Sequence, residues 1–185
     1  MKLLPALLTA LMVLCSPAAF ASPVSMGGTL PPLSIDDRGE IQLKGDDFEY
    51  TPWASTALAG AVQVVQYFGA TMGDSKKFEA FTDRIEEAVG EGGVQVTTII
   101  NMDAALWGTG GMVKSELKKN KQAHPEAIIV LDEEGVGVEA WGLGKEGSAL
   151  IILDEQGKIV LLKQDKLSDE ETEQSLEVLK QTLGG

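Results

Sequence analysis

Apolar and polar positions follow each other from residue 60 onwards in an order that predicts strands and helices in turn. Val62–Phe68 and Val94–Ile100 carry little charge, and the second is rich in β-branched residues, as is typical of buried parallel strands. Between them, apolar residues recur at helical spacing, which predicts one helix capped by Asp74 or Ser75 and ended by the glycines after Val89. Its apolar stripe is Phe78, Phe81, Ile85, Ala88 and Val89.

The remainder of the chain predicts further strands and two more helices. A shorter helix is expected over 112–120, after the glycine-rich turn 108–111, and Ala127–Leu131 and Ala149–Leu153 are matching apolar strands. Each strand is followed by an Asp-to-Gly turn, in which Asp accepts hydrogen bonds from the turn and Gly takes a positive φ. The second turn leads into strand 158–162, which predicts an antiparallel hairpin.

The segments before residue 60 and after residue 163 also carry patterns that predict secondary structure. Leu33–Ile35 and Ile41–Leu43 alternate around the polar stretch Asp36–Glu40, which predicts a β-hairpin. At the other end Ser168 begins a helix and Glu171 completes a capping box. The apolar side of that helix consists of Thr172, Leu176, Leu179 and Leu183. The resulting order, hairpin, β-α-β-α-β and β-β-α, predicts an α/β fold: three layers, α/β/α, with a mixed central sheet and an N-terminal β-hairpin.

The first residues predict a cleavable export signal rather than part of the core. Lys2 precedes the apolar run Leu3–Leu14, and Ala19–Ala21 supplies a small-x-small cleavage site. The run is short for a membrane span, so a retained anchor is the less favoured alternative. We expect a signal peptide over 1–21, a hairpin extension over 22–59 and one domain over 60–185, in the periplasm of a Gram-negative bacterium. No membrane span would remain after cleavage.

Removing the signal would also remove the one cysteine of the chain, Cys15. A lipoprotein anchor at Cys15 is not expected, because the bulky Leu14 precedes it. Without a cysteine the exported chain could not form a disulfide, exchange thiols or bind a metal through sulfur. The chain is acidic, with 28 Asp and Glu against 15 Lys and Arg, which disfavours nucleic acid and anionic lipid as partners.

The order of elements resembles the thioredoxin-like proteins of the periplasm. In that overlay Gly60–Ser75 corresponds to the first strand and active-site loop, and the two redox cysteines of active members would fall near Met72 and Ser75. The cis-proline that normally precedes the fourth strand would fall near Ser148. The resemblance therefore implies the scaffold of a disulfide oxidoreductase with neither its thiols nor its proline.

Over nearly all of the exported length the chain is similar to one branch, the YtfJ family of small periplasmic proteins. The similarity depends on the order and spacing of several short stretches. These are Pro31-Pro32, Asp36–Glu40, Thr97–Asn101, Gly108–Gly111 and Ser148-Ala149. It implies a thioredoxin-like periplasmic domain and supplies no mechanism.

Ligands of open α/β sheets bind beyond the carboxyl ends of the strands, which makes two loops the candidate binding rim. They are the loop around Met72, Gly73, Asp74 and Ser75, and the loop that carries Asn101, Asp103 and Trp107, with Ser148 beside them. Trp141 could line the same rim, although a tryptophan packed under a loop is commoner. We expect no catalytic residue, cofactor or metal there.

Other motifs carry less weight. Gly142–Gly147 matches G-x-G-x-x-G, but a strand follows it where a dinucleotide site needs a helix. The basic positions near the end of the second helix complement its dipole, or could contact an acidic partner. They are Lys114, Lys118, Lys119, Lys121 and His124. The acidic clusters Asp36-Asp37, Asp46-Asp47 and 132–134 lack the ligand spacing of a calcium loop.

The sequence thus favours a non-catalytic protein that binds an unidentified protein, peptide or small molecule. One alternative is an enzyme without cysteine chemistry at the rim, through Asp74, Asn101 and Asp103. Another is a structural or stress accessory protein of the cell envelope. Thiol–disulfide exchange is not expected of any of the three.

Overall fold

A seven-stranded mixed sheet forms the centre of the computed structural model, which describes residues 23–45, 47–90, 93–145 and 147–184. The predicted signal peptide and Cys15 lie outside these residues, as do Asp46, Gly92 and Glu146. The strands are β1 (Ser34–Lys44), β2 (Asp47–Ala54), β3 (Gln63–Gly69), β4 (Gln95–Asn101), β5 (Ile128–Asp132), β6 (Ala149–Leu153) and β7 (Ile159–Lys163). Their spatial order is β2-β1-β5-β4-β3-β6-β7.

The predicted strands and the mixed character of the sheet are confirmed. β3, β4 and β5 are parallel neighbours, while β6 pairs antiparallel with β3 and β7 antiparallel with β6. The predicted turns also hold, because Gly135 and Gly157 have φ values of +68° and +74°. Asp154 Oδ1 accepts hydrogen bonds from the backbone N–H groups of Gln156 and Lys158.

The helices are α1 (Met72–Ser75), α2 (Glu79–Thr82), α3 (Ile85–Val89), α4 (Gly110–Ala123), α5 (Val136–Trp141) and α6 (Asp169–Gly184). On one face of the sheet, Val65 and Tyr67 of β3 belong to the same core cluster as Trp141 of α5. On the other face, Val64 packs in a cluster with residues of α2, α3 and α6. Helices therefore cover both faces, as the three-layer prediction requires.

The hairpin predicted within 33–43 is wrong in its position. Residues 34–44 form one strand, and the polar stretch is a bulge between Ile35 and Glu40. Gly39 allows the bulge, since its φ is +77° and a Cβ there would lie 2.1 Å from the Thr51 carbonyl oxygen. The hairpin is instead β1–β2, and β1 also pairs with β5.

The single helix predicted after β3 is instead three short helices, α1, α2 and α3. The residue that caps α1 is Thr71 and not Asp74 or Ser75, because the Thr71 hydroxyl accepts a hydrogen bond from the Asp74 backbone N–H. The expected stripe still points inward, because Phe78, Phe81 and Ile85 are buried. The sequence prediction missed α5 and ended α4 three residues early.

The capping box of α6 is confirmed. The Ser168 backbone N–H and hydroxyl donate to the Glu171 carboxylate, and the Glu171 N–H donates to the Ser168 hydroxyl. Leu176 and Leu179 are buried as expected, but Leu183 is exposed. In the described part of the chain every helix falls short of the length and apolarity needed to cross a membrane.

We predict that Glu171→Gln destabilises the protein at neutral pH and that the difference from wild type vanishes on acidification. The hydrogen bond from Lys163, followed by those from Ser168, lowers the pKa of Glu171 to about 2 from its ordinary 4.5. A depressed carboxyl pKa stabilises the fold fully above the unfolded value and loses that effect as the pH falls from 4.5 to about 2.

Urea denaturation across this pH range measures the effect. Glu177→Gln, at an exposed position on the same helix, is the matched control for the loss of one carboxylate. A pH-independent effect of Glu171→Gln would contradict the assignment.

Candidate functional site

A buried carboxylate closes the end of β5. Asp132 is the last residue of that strand and has no exposed surface. Its Oδ2 accepts hydrogen bonds from the Tyr67 hydroxyl at 2.7 Å and the Gly137 N–H at 2.8 Å, and its Oδ1 from the Val136 N–H at 2.9 Å. A buried carboxylate is costly unless donors satisfy it, so these three contacts are what make Asp132 tolerable there.

The tyrosine partner remains a neutral donor. Burial first, and then the hydrogen bond to Asp132, raises the pKa of Tyr67 well above its ordinary value of 10.0. The ring packs edge-on against Trp141, with centroids 5.8 Å apart. A Cβ on Gly137 would lie 2.3 Å from Tyr67 Cε2, so this contact requires a glycine in α5.

Directly beside this network, the carboxyl ends of β3, β4 and β5 enclose a cavity of about 460 Å³, here named the rim cavity. Asp74, Asn101 and Asp103 all contribute to it, from two different loops. Its walls are Gly69, Asp74, Asn101, Asp103, Ala104, Gly135, Val138, Glu139, Gly144, Lys145 and Gly147.

Two glycines keep the floor of the rim cavity open. A Cβ on Gly69 would lie 2.7 Å from Asp74 Oδ2, and one on Gly135 would lie 2.8 Å from Asn101 Oδ1. Asn101 is buried, and its Oδ1 accepts a hydrogen bond of 3.0 Å from the Asp103 backbone N–H. The side-chain amide is thereby fixed at the edge of the cavity.

Three carboxylates and one lysine give the rim cavity its electrostatic character. They belong to Asp74, Asp103, Glu139 and Lys145. Such a lining favours a ligand with hydrogen-bond donors or a positive charge. One oxygen of Asp74 is already engaged by the Thr71 hydroxyl at 2.8 Å, and the other lies 3.0 Å from Lys77 Nζ.

Lys77 links the two places that the resemblance assigned to redox chemistry. Its Nζ lies between the Asp74 carboxylate and Ser148 Oγ, to which it donates a hydrogen bond of 2.9 Å. Ser148 is fully buried and donates its hydroxyl proton to the Gln164 carbonyl oxygen at 2.7 Å. The serine hydroxyl therefore acts as a structural contact, and we name this chain of contacts the Asp74–Lys77–Ser148 clip.

The remaining predicted rim residues lie elsewhere. Met72 is 81% exposed. Both Met72 and Ser75 line a neighbouring cavity instead of the rim cavity. Gly73 is exposed beside them. Trp107 is fully exposed and lines neither surface among the described residues. Trp141 belongs to the core, where its Nε1 donates to the Pro31 carbonyl oxygen.

The basic positions of α4 make contacts within the fold. Lys114 pairs with Glu133 at 2.7 Å, and Lys118 Nζ lies 5.0 Å from the centre of the Phe48 ring. Lys121 is buried and donates to the Ala127 carbonyl oxygen. In the described ranges, no group of three or more His, Cys, Asp or Glu side chains is arranged to hold a metal ion.

Sequence reasoning missed several residues that shape the site. Asp132 lies at the carboxyl end of a predicted strand, as Asn101 does. The rule that ligands of open α/β sheets bind beyond these ends would therefore have selected Asp132 too. Tyr67 was assigned only to a strand, and the alternation of β3 could have placed it on the same face as Val65. Lys77 and Ser148 are 71 residues apart, and no local pattern connects them.

Comparisons of the sequence with known proteins identify relatives over most of its length. The family model YtfJ_HI0045, described as a bacterial protein of unknown function, matches residues 24–182. A relative from Escherichia coli (strain K12), described as an uncharacterized protein YtfJ, is 35% identical over 166 residues, which are 89% of this chain and 90% of the relative.

Solved structures of thiol–disulfide proteins share the fold at low identity. A secreted thiol-disulfide isomerase from Corynebacterium glutamicum aligns with a TM-score of 0.59 at 14% identity, covering 95% of this chain and 99% of that one. The thioredoxin domain of a thiol-disulfide oxidoreductase from Bacteroides vulgatus aligns with a TM-score of 0.51 at 16% identity, covering 83% and 96%. The thioredoxin-like fold class is thereby confirmed.

We predict that Tyr67→Phe lowers the free energy of unfolding by about 1.5–3 kcal/mol, the usual contribution of a hydrogen bond to a charged group. The reason is that Asp132 loses a donor while it stays buried. Urea denaturation is the measurement. Tyr50→Phe, at the other tyrosine of the chain, is the matched control and should change stability by less than about 0.5 kcal/mol. Equal effects of the two substitutions would contradict the role given to the Tyr67 hydroxyl.

Proposed function

The chain belongs to the YtfJ_HI0045 family of bacterial proteins, and we propose that it is an exported binding protein on a thioredoxin-like scaffold, without thiol–disulfide chemistry. The observation that carries the proposal is the rim cavity. It lies at the carboxyl end of the sheet and is lined by polar side chains, while the positions that correspond to redox cysteines hold Met72 and Ser75.

The lack of thiol chemistry is argued from the residues present. Cys15 is the one cysteine of the chain and lies within the proposed signal peptide. The Ser75 hydroxyl donates to the Met72 carbonyl oxygen at 3.2 Å within the short helix α1. A serine is a weak nucleophile unless a neighbouring base activates it, and Ser75 has no such base in the described structure.

The proposed ligand is a small molecule or peptide terminus that carries an amino or guanidino group. Asp103 and Glu139 outnumber Lys145 around the rim cavity, and the third carboxylate, Asp74, already pairs with Lys77. A volume of about 460 Å³ is within the usual range for small-ligand sites. The fixed amide of Asn101 would add directional hydrogen bonding.

A second candidate is an enzyme that uses the same cavity. The observation in its favour is that Asp74, Asn101 and Asp103 line one concave surface. Acid–base catalysis needs a carboxyl group within reach of the substrate, and Asp74 is already bound by Thr71 and Lys77. We therefore favour binding over turnover.

We predict that a cationic ligand raises the melting temperature of residues 22–185. The probes are a panel of amino acids, polyamines, and dipeptides ending in lysine or arginine, because a ligand of the folded state stabilises it by mass action. A shift of several degrees is expected at about 100 times the Kd. Asp103→Asn should abolish it, whereas Asp165→Asn, an exposed carboxylate outside the cavity, should preserve it.

Each result of that screen bears on the proposal. The same shift in Asp103→Asn would contradict the assigned site, and no shift with any cationic probe would contradict the ligand class. Consumption of a probe by the wild-type chain, abolished in Asp103→Asn, would replace the proposal with the enzymatic alternative.

We predict that the mature protein begins at Ser22. Expression of the full chain in a Gram-negative host, followed by intact-mass measurement of the periplasmic fraction, should give the mass of residues 22–185. The control is Ala19→Arg with Ala21→Arg, which removes the small residues of the cleavage site and should leave a longer chain. A mature protein that keeps residues 1–21 would contradict the export signal.

A further inference from the structure

A second concave surface lies over β4, between α1–α3 on one side and α4 on the other. It consists of two adjoining cavities of about 460 and 400 Å³ that share Phe68, Ser75, Ile100 and Leu117. We name it the apolar groove. Only Gly69 also lines the rim cavity, so among the described residues the two surfaces are otherwise built from different side chains.

Several large hydrophobic side chains of the apolar groove are partly or mostly exposed. Val96, Phe68 and Leu117 are only half-buried along its floor and walls. At one end Met72 is 81%, Leu106 68% and Met112 75% exposed. Large apolar side chains concentrated at one exposed surface mark interaction sites in soluble proteins.

The charged side chains that line the apolar groove all have the same sign. Its titratable wall residues are Glu86, Glu116 and Glu126, and no lysine or arginine belongs to the described walls. The nearby Lys114 and Lys121 are occupied with Glu133 and the Ala127 carbonyl oxygen.

Two of the wall carboxylates have partners on the outer surface. Glu116 lies 3.3 Å from Lys119, and Glu126 lies 3.6 Å from His124, with all four side chains mostly exposed. An exposed ion pair such as Glu116–Lys119 contributes little free energy, so an incoming cation can replace it at low cost.

We propose that the apolar groove is a docking site for an extended segment of another protein, with apolar side chains in its centre and lysine or arginine at its ends. The apolar centre would cover Phe68, Ile100 and Leu117, and the terminal cations would meet the wall glutamates. About seven extended residues span the length of β4, at about 3.3 Å per residue. The proposal is independent of the ligand proposed for the rim cavity.

The test uses the chain from residue 22 and a fluorescein-labelled peptide with a leucine, valine and phenylalanine centre and two lysines at each end. Fluorescence anisotropy should show saturable binding. Met72→Gln with Met112→Gln, which removes apolar contact without adding charge, should weaken it at least about tenfold, because both exposed thioether side chains flank the groove. Met26→Gln with Leu183→Gln, two exposed apolar positions outside the groove, is the matched control and should leave the affinity unchanged.

A second pair of variants separates charge from apolar contact. Replacing Glu86, Glu116 and Glu126 by Gln should weaken binding and reduce its salt dependence. The control replaces the exposed Glu155, Glu170 and Glu177 by Gln, which changes the net charge equally. Peptides with glutamates at the ends, or with a serine centre, should not bind.

Several results would overturn the proposal. One is absence of binding, and another is equal binding by Met72→Gln with Met112→Gln. Concentration-dependent dimerisation that these substitutions abolish would assign the groove to a second copy of the chain. Groove-dependent binding to phosphatidylglycerol vesicles would assign it to lipid. Asp103→Asn should leave peptide binding unchanged, so failure of the rim-cavity proposal can be told apart from failure of this one.

Discussion

The arrangement of β3, β5 and α5 at the carboxyl ends of the parallel strands depends on one buried carboxylate. Asp132 lies at the end of β5 and joins β3 through the Tyr67 hydroxyl and α5 through two backbone N–H groups. Because a buried carboxylate is costly without hydrogen-bond donors, these contacts favour one relative position of β3, β5 and α5. That position sets Gly135 against Asn101 and brings Val138 and Glu139 to the wall of the rim cavity.

The Asp74–Lys77–Ser148 clip is a second polar link between distant parts of the chain. In the thioredoxin-like resemblance, the redox cysteines would fall near Met72 and Ser75, and the cis-proline near Ser148. Here an ion pair of 3.0 Å and a hydrogen bond of 2.9 Å join these two places directly. Lys77 thus connects two parts of the chain that are 71 residues apart.

The sequence was informative wherever local patterns also decide the tertiary structure. The low charge of β3, the β-branched run of β4 and the capping box of α6 are local features, and the predicted elements are present as expected. The carboxyl-end rule placed Asp74, Asn101 and Asp103 near one another because it follows from parallel strand order.

The misses have a common physical cause, namely contacts between residues far apart in the chain. A helix over Val136–Trp141 is unexpected from propensity, since Gly137 disfavours it, and its stability comes from the Asp132 carboxylate and the burial of Trp141. Likewise, Asp36–Glu40 has the composition of a turn but forms a bulge, because β2 and β5 pair with β1 on either side of it. No pattern in the sequence around Trp107 predicts that its side chain is fully exposed.

The central claim, a thioredoxin-like scaffold without thiol chemistry, is tested most directly by the rate of insulin disulfide reduction in the presence of dithiothreitol. The chain from residue 22 should leave the rate at its uncatalysed level. Met72→Cys with Ser75→Cys, which places two thiols at the start of α1, supplies the matched variant and should accelerate the reaction, because a helix N-terminus stabilises a thiolate. Acceleration by the unsubstituted chain would contradict the account.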